Sequence, residues 1–297
     1  MITRVTSTTM MNSASRNMQS AAAELSRLQE KASTQKNISR PSDDPAGTAA
    51  ALQVRADQKL NAQYTKNVAD GNEWLTTVDS TLSSVTALLQ RANVLTVQGA
   101  NDGALTLAAK ETIAMELESI RDSLLAASNT QYAGRSVFAG TSDAGHAFTA
   151  ADGNYTYAGV AGSSVERRIG EGQTIRVDGD GAAIFGEGTD SVFAALDAIA
   201  ADLRAGVNIG PRITSVATHL TTVSSQQAVI GSRQATVLSA GETLLDAKVS
   251  LESRRVSIED VDLAEIILDL KMQETAYQAS LAVTARALQP TLMDFLS

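Results

Sequence analysis

Residues 213–258 read ITSVATHLTTVSSQQAVIGSRQATVLSAGETLLDAKVSLESRRVSI. Within them Ile213, Val216, Leu220, Val223, Gln227, Ile230, Gln234, Val237, Gly241, Leu244, Lys248, Leu251, Arg255 and Ile258 recur at alternating steps of three and four. That spacing holds one seam on one side of a helix, the pattern of coiled-coil packing. A single helix of this length would span roughly 70 Å, so the stretch predicts an elongated helical molecule. Four of the seam positions, Gln227, Gln234, Lys248 and Arg255, are polar. Two readings are open. The seam is partly solvated, or its polar positions fix register and partner choice at a cost in stability.

The same spacing recurs elsewhere. Met11, Ala14, Met18, Ala21, Leu25, Leu28 and Ala32 form one run, and Val68, Gly71, Leu75, Val78, Leu82, Val85 and Leu89 a second. Ile113, Leu117, Ile120 and Leu124 form a shorter one. Near the end of the chain come Leu263, Ile267, Leu270, Glu274, Tyr277 and Leu281, then Leu288. Pro290 removes a helical hydrogen bond and predicts a kink or stop there.

Two breaks interrupt the helical pattern. At PSDDPAG, 41–47, Asp43 and Asp44 precede Pro45; Asp44 suits an N-cap and Pro45 the first helical position. At SIEDVD, 257–262, Asp262 with Glu265 suits a capping box. The breaks lie at similar distances from the two chain ends, so antiparallel pairing of the terminal helices would bring them level. Between the helical parts, residues 131–189 hold 12 of the 20 glycines, which marks turns between short strands. YTYAGV (155–160), VERRIG (165–170) and TIRVDG (174–179) read as those strands. Helix restarts near Asp190.

The predicted fold is therefore mainly α: a helical bundle and coiled coil built from both ends of the chain, with a small β-rich insertion. The expected divisions are 1–40 with 260–297 as a terminal coiled coil, 41–130 with 190–259 as a helical rod, and 131–189 as a Gly-rich β domain.

Composition supports this. Hydrophobic residues are 43% of the 297 but aromatics only 4%, which favours Ala- and Leu-rich helices packed side by side. A net charge of −9 argues against nucleic acid and anionic membrane as partners. The absence of cysteine excludes disulfides, thiolate metal sites and thiol catalysis. The first residues, MITRVTSTTMMNSASRNMQS, lack the apolar core of a cleaved signal, and no run of about 18 apolar residues exists to span a bilayer.

Catalytic and ligand motifs are weak. His146 and His219 have no partner histidine at ligand spacing. Asp178-Gly179-Asp180-Gly181 lacks the remaining oxygen ligands of a calcium loop and reads as a turn between strands. The Gly-Glu-Gly triplets at 170–172 and 186–188 are not phosphate loops. No nucleophile–base–orienter set assembles, so no enzyme, cofactor or metal is expected. A binding or catalytic module in the β segment would need His146, Tyr155, Tyr157, Arg167 and Arg168 to converge.

Three segments resemble the flagellin-like family. ISRPSDDPAG (38–47) is similar to its N-terminal turn. GRSVFAGT (134–141), with NYTYAG (154–159), resembles a passage typical of its hook-associated members at the hook–filament junction. EDVDLAEIILDLKMQETAYQASLAVTARALQPTLMDFL (259–296) resembles its C-terminal helix. The resemblance implies a structural flagellar subunit that leaves the cell unfolded through type III export, without a cleaved signal, and assembles outside it. It implies terminal helices that are disordered in the monomer and ordered on assembly. It also implies a homo-oligomeric ring, with a neighbouring hook-associated protein, flagellin and an export chaperone as partners. The assembly seam would comprise Met11, Met18, Leu25, Leu28, Ile267, Leu270, Tyr277, Leu281 and Leu288. Filament flagellin is the alternative within the family.

Overall fold

The computed structural model describes residues 2–101, 105–151, 153–160 and 162–287, with side chains described from Thr9 to Ala285. Leu288 and Pro290 lie outside them. The elements are α1 (Ile2–Thr34), α2 (Pro45–Gly99), α3 (Leu107–Ser128), β1 (Gln131–Tyr132), β2 (Arg135–Ser136), β3 (Phe148–Ala151), β4 (Asn154–Tyr157), β5 (Glu166–Gly170), β6 (Gln173–Arg176), α4 (Gly181–Phe185), α5 (Val192–Arg204), α6 (Arg212–Glu259) and α7 (Leu263–Ala287). The fold is mainly helical with a small β-containing insertion, as the heptad runs and the glycine-rich segment predict. The chain gathers into two compact units, Asn61–Asp246 and Met1–Leu60 with Ala247–Ser297.

In the unit 61–246 the heptad positions become core. Leu75, Val78, Leu82, Val85 and Leu89 of α2 are fully buried, together with Leu117 and Leu124 of α3 and Val216, Val223, Ile230 and Val237 of α6. Helices α2 and α6 run antiparallel. Asn61 donates its side-chain amide to the Leu244 carbonyl at 3.1 Å. Gln234 donates to Thr76 Oγ1 at 3.1 Å, and Gln227 to Ser83 Oγ at 2.9 Å and Asp79 Oδ1 at 3.1 Å. The polar seam positions 227 and 234 are thus bonded across the helix pair. A register slip would strand these groups, so the bonds disfavour alternatives that the aliphatic repeat alone would tolerate. Lys248 is exposed and Arg255 half-buried.

The β-containing insertion is three antiparallel hairpins, β1–β2, β3–β4 and β5–β6. Four of the five phenylalanines, Phe138, Phe148, Phe185 and Phe193, pack as one cluster with ring centroids 5.3–5.8 Å apart. The scarce aromatics are spent in one place, where short strands offer too few aliphatic positions to seal a core. Residues 178–181 depart from the expected inter-strand turn. Asp178 is fully buried; its carboxylate accepts the Val165 N–H at 2.8 Å and Arg176 Nε and Nη2 at 2.9 Å each. Asp180 then caps α4 through the Ala183 N–H. Gly179 and Gly181 are needed for close approach: a Cβ at Gly181 would sit 2.5 Å from the Phe138 carbonyl.

The other unit holds α1, α7, the start of α2 and the end of α6. Asp44 accepts the Gly47 N–H at 2.9 Å, and Pro45 opens α2. Asp43 accepts the Arg40 N–H at 2.8 Å, closing the turn before it. Asp262 accepts the Ala264 N–H at 2.8 Å at the start of α7. The two helix breaks meet: Lys36 and Asp260 form an antiparallel bridge, with Asn37 N–H donating to the Glu259 carbonyl at 2.7 Å and Val261 N–H to the Gln35 carbonyl at 3.3 Å.

Candidate assembly surface

Helices α1 and α7 pair antiparallel, with the Gln273 side-chain amide donating to the Ala21 carbonyl at 3.2 Å. The less exposed positions of α7 recur as Ile266, Leu270, Gln273, Tyr277, Ser280 and Thr284, a 4,3,4,3,4 run that defines the face toward α1. Opposite them on α1, Leu28 is buried and Met18, Ala21 and Leu25 are half-buried. Among the named seam residues, Leu28, Leu25, Met18, Leu270 and Tyr277 are therefore brought together between α1 and α7. Met11, Ile267 and Leu281 are not: they are 55%, 55% and 41% exposed. Ile266, one position from Ile267, takes the inward place, because successive residues diverge by about 100° around a helix.

The exposed residues fall on two flanks of α7. Leu263, Ile267 and Leu281 lie to one side of the face that meets α1, and Leu268, Met272 and Val283 to the other. A helix apolar on one stripe is satisfied by one partner; α7 carries apolar surface on three sides. Covering each half-exposed aliphatic side chain would contribute on the order of 1 kcal/mol. Among the described residues no ion pair joins α1 to α7; the pairs are local, such as Arg27–Glu24 and Lys271–Glu274. Among the described residues this helix pair is held by a thin seam and by the bridge at the breaks.

The seam spacing missed Ile266, Gln273, Leu268, Met272 and Val283. The run EIILDLKM offers apolar residues at several successive heptad phases, so spacing alone cannot select the phase.

The polar residues named in the β insertion bond to separate partners. Tyr155 donates its hydroxyl to Asp197 at 2.6 Å, and Tyr157 to the Phe138 carbonyl at 2.9 Å. Burial and the Asp197 charge push the Tyr155 phenol well above its ordinary range. Arg167 pairs with Asp70 at 2.5 Å and lies over the Trp74 ring. Arg168 is exposed and His146 half-buried. His219, on α6, is partly buried, which lowers its pKa, and the Asp190 charge opposes that shift. No cluster of three or more metal-ligating side chains occurs among the described residues, and no helix there is long and apolar enough to cross a membrane.

Two family models match the chain. The bacterial flagellin N-terminal helical region matches residues 5–143, and the bacterial flagellin C-terminal helical region matches residues 213–296. Flagellar hook-associated protein 3 of Salmonella typhimurium is 32% identical over 164 residues, which is 55% of this chain and 50% of that protein. The chain thus spans about half the length of that relative. A Vibrio parahaemolyticus protein assigned as a flagellar hook-associated protein has a solved structure that superposes with a TM-score of 0.67 at 22% identity, covering 73% of this chain and 100% of that one. The flagellar junction protein of Legionella pneumophila superposes with a TM-score of 0.56 at 11% identity, covering 63% and 99%. At those identities the two structures speak for the fold. The paired matches, 5–143 and 213–296, which together cover most of the chain, place it in the bacterial flagellin family.

Proposed function

We propose that this chain is a structural subunit of the bacterial flagellum seated where the hook meets the filament, and that it assembles by helix packing. The observation that carries the proposal is α7: its apolar flanks exceed what α1 can cover, so neighbouring subunits are the natural cover. The hook-associated relative, matched over 164 residues, favours the junction over the filament. Filament flagellin is the second reading, favoured by the family models themselves, which describe flagellin ends.

Several features follow from this reading. The assembly seam comprises Met11, Met18, Leu25, Leu28, Ile267, Leu270, Tyr277, Leu281 and Leu288. The terminal segments, 1–40 and 260–297, gain their order from neighbours in a ring. A thin seam is marginal alone, and most helical stability in proteins comes from packing. Export proceeds unfolded through the flagellar type III channel, with an export chaperone, and the ring contacts another hook-associated protein and flagellin. The role is mechanical, not catalytic.

Deleting the gene tests the reading. Cells should carry bare hooks and lose flagellin to the medium. Missing filaments without flagellin in the medium would support the filament reading, and normal flagella would refute both.

A further inference from the structure

The three hairpins of the insertion form separate two-stranded sheets, yet β1–β2 and β5–β6 reach the same turn of α2. That turn carries Asp70, Glu73 and Trp74, the single tryptophan of the chain. Trp74 is only 2% exposed, and among the described residues its buried indole N–H meets no acceptor. An unpaired buried donor is a cost that phenylalanine would not carry at this position. What the indole adds is a broader ring and the most favourable aromatic face for a cation.

Both properties are used. The Tyr132 ring of β1 lies against Trp74, with centroids 5.4 Å apart and planes inclined at 55°. The guanidinium carbon of Arg167, on β5, lies 5.4 Å from the centre of the same ring. A carboxylate of α2 then holds the polar end of each. Tyr132 donates its hydroxyl to Glu73 Oε2 at 2.7 Å, and this bond is the largest influence pushing the phenol up to about 12. Arg167 pairs through Nε with Asp70 Oδ2 at 2.5 Å, and the other Asp70 oxygen lies 3.5 Å from the Tyr132 hydroxyl. One turn earlier, Asn67 donates to the Arg168 carbonyl at 2.8 Å. Each hairpin therefore has its own carboxylate, and both share one ring. Hairpin β3–β4 is anchored elsewhere, through Tyr155 on Asp197 of α5 and Phe148 on Phe193.

We propose that Trp74 is a positioning residue that couples β1–β2 to β5–β6, so that loosening either hairpin from α2 loosens the other while β3–β4 stays in place. The insertion then opens as two units with different anchors, and not as one small domain. The inference goes beyond the flagellar reading and rests on the unit 61–246 alone. A second route joins the same two hairpins: the Gly179 N–H donates to the Val137 carbonyl at 3.0 Å. The test has to separate that route from the ring.

The test is amide hydrogen exchange on the purified full chain. Three amides report, one beside each hairpin. Val137 donates to the Thr130 carbonyl at 3.0 Å beside β1–β2, Val177 to the Val165 carbonyl at 2.8 Å beside β5–β6, and Ala158 to the Ala147 carbonyl at 2.8 Å beside β3–β4. Arg167→Gln should lower protection about tenfold at Val177 and about threefold at Val137, the ion pair being discounted for its partial exposure. Tyr132→Phe should do the reverse, about fivefold at Val137 and about threefold at Val177. Ala158, Leu82 and Leu89 should keep wild-type protection in both. In a Trp74→Leu background, Arg167→Gln should no longer move Val137. An unchanged Val137 in Arg167→Gln would mean that the hairpins are held independently. A cross-effect that survives Trp74→Leu would assign the coupling to the Gly179–Val137 bond. A matching loss at Ala158 would mean that the insertion opens as one. Any of these overturns the proposal. If Trp74→Leu fails to fold, acrylamide quenching of the single tryptophan decides: in Arg167→Gln it should rise together with the loss at Val137, and a loss without it would route the coupling around the ring. Filament attachment is not read, so failure here leaves the flagellar assignment untouched.

Discussion

In the unit 61–246, α2, α3 and α6 bury most of their aliphatic heptad positions, whereas α1 and α7 use the same spacing and leave theirs half open. Leu75, Val78, Leu82 and Leu124 are at 0% exposure, but Ile267 is at 55%. The difference lies in who supplies the cover. In the unit 61–246 the buried positions of α2, α3, α5 and α6 and the Phe cluster join in one core. In the terminal pair two helices meet alone, and a two-helix contact can hide only a narrow stripe of each. An apolar repeat therefore marks a surface that needs a partner, without saying whether the partner is in the same chain.

The sharpest way to break this contrast is to charge the terminal seam. Leu25→Asp should abolish filament attachment while leaving the urea unfolding transition of the bundle unchanged, since α1 can open without unfolding the rest. Electron microscopy of complemented cells and denaturation of the purified variant check both halves. Normal attachment would remove the terminal pair from the assembly surface.

Next in size is the sealed seam itself. Leu82→Ala should cost about 3 kcal/mol in urea unfolding, the usual range for deleting a fully buried leucine side chain in a core that cannot collapse around it. Leu28→Ala, in the terminal pair, should scarcely move the same transition. Equal effects would mean that the two units unfold as one and that the contrast in cover has no energetic weight. Smaller again is the polar ladder: Gln227→Ala should cost about 1 kcal/mol, because Asp79 and Ser83 lose their cross-helix donor. No loss on denaturation would show that water replaces the amide without penalty, leaving the solvated-seam reading of those glutamines.

How much of this was legible in the sequence varies by region for physical reasons. Val68, Leu75, Val78, Leu82, Val85 and Leu89 lie where the spacing puts them, because one phase of α2 is apolar and the others are not. In α7 the phase is ambiguous: Ile266, Ile267 and Leu268 are consecutive, and packing against α1 chose Ile266. Spacing also could not find the cluster of Phe138, Phe148, Phe185 and Phe193, whose members lie on loops, a strand and two helices with no common period. Asp178 read as a turn residue because burial of a carboxylate depends on Arg176 and the Val165 amide reaching it, a tertiary fact. The breaks at 41–47 and 257–262 were legible as caps and punctuation, but the ion pair between Arg55 and Glu259 joins residues far apart in the chain.

The smallest expected effect separates the two regions by pH. The bundle contains His219, whose burial disfavours the imidazolium, while the described terminal helices contain no histidine. The folded chain therefore releases that proton at a lower pH than the unfolded chain, for which the ordinary value is about 6.5. Between the two values the unfolded state binds more protons, so bundle stability should fall slightly as pH drops below about 6.5 and level off below the folded value. His219→Gln should flatten that slope in urea midpoints measured from pH 7.5 to 5, leaving only the later acid loss from carboxylates paired with arginine, such as Glu118 with Arg204. A slope that survives the substitution would assign it to another group, and with it the distinction between a bundle sensitive to mild acid and a terminal unit sensitive only to carboxylate protonation.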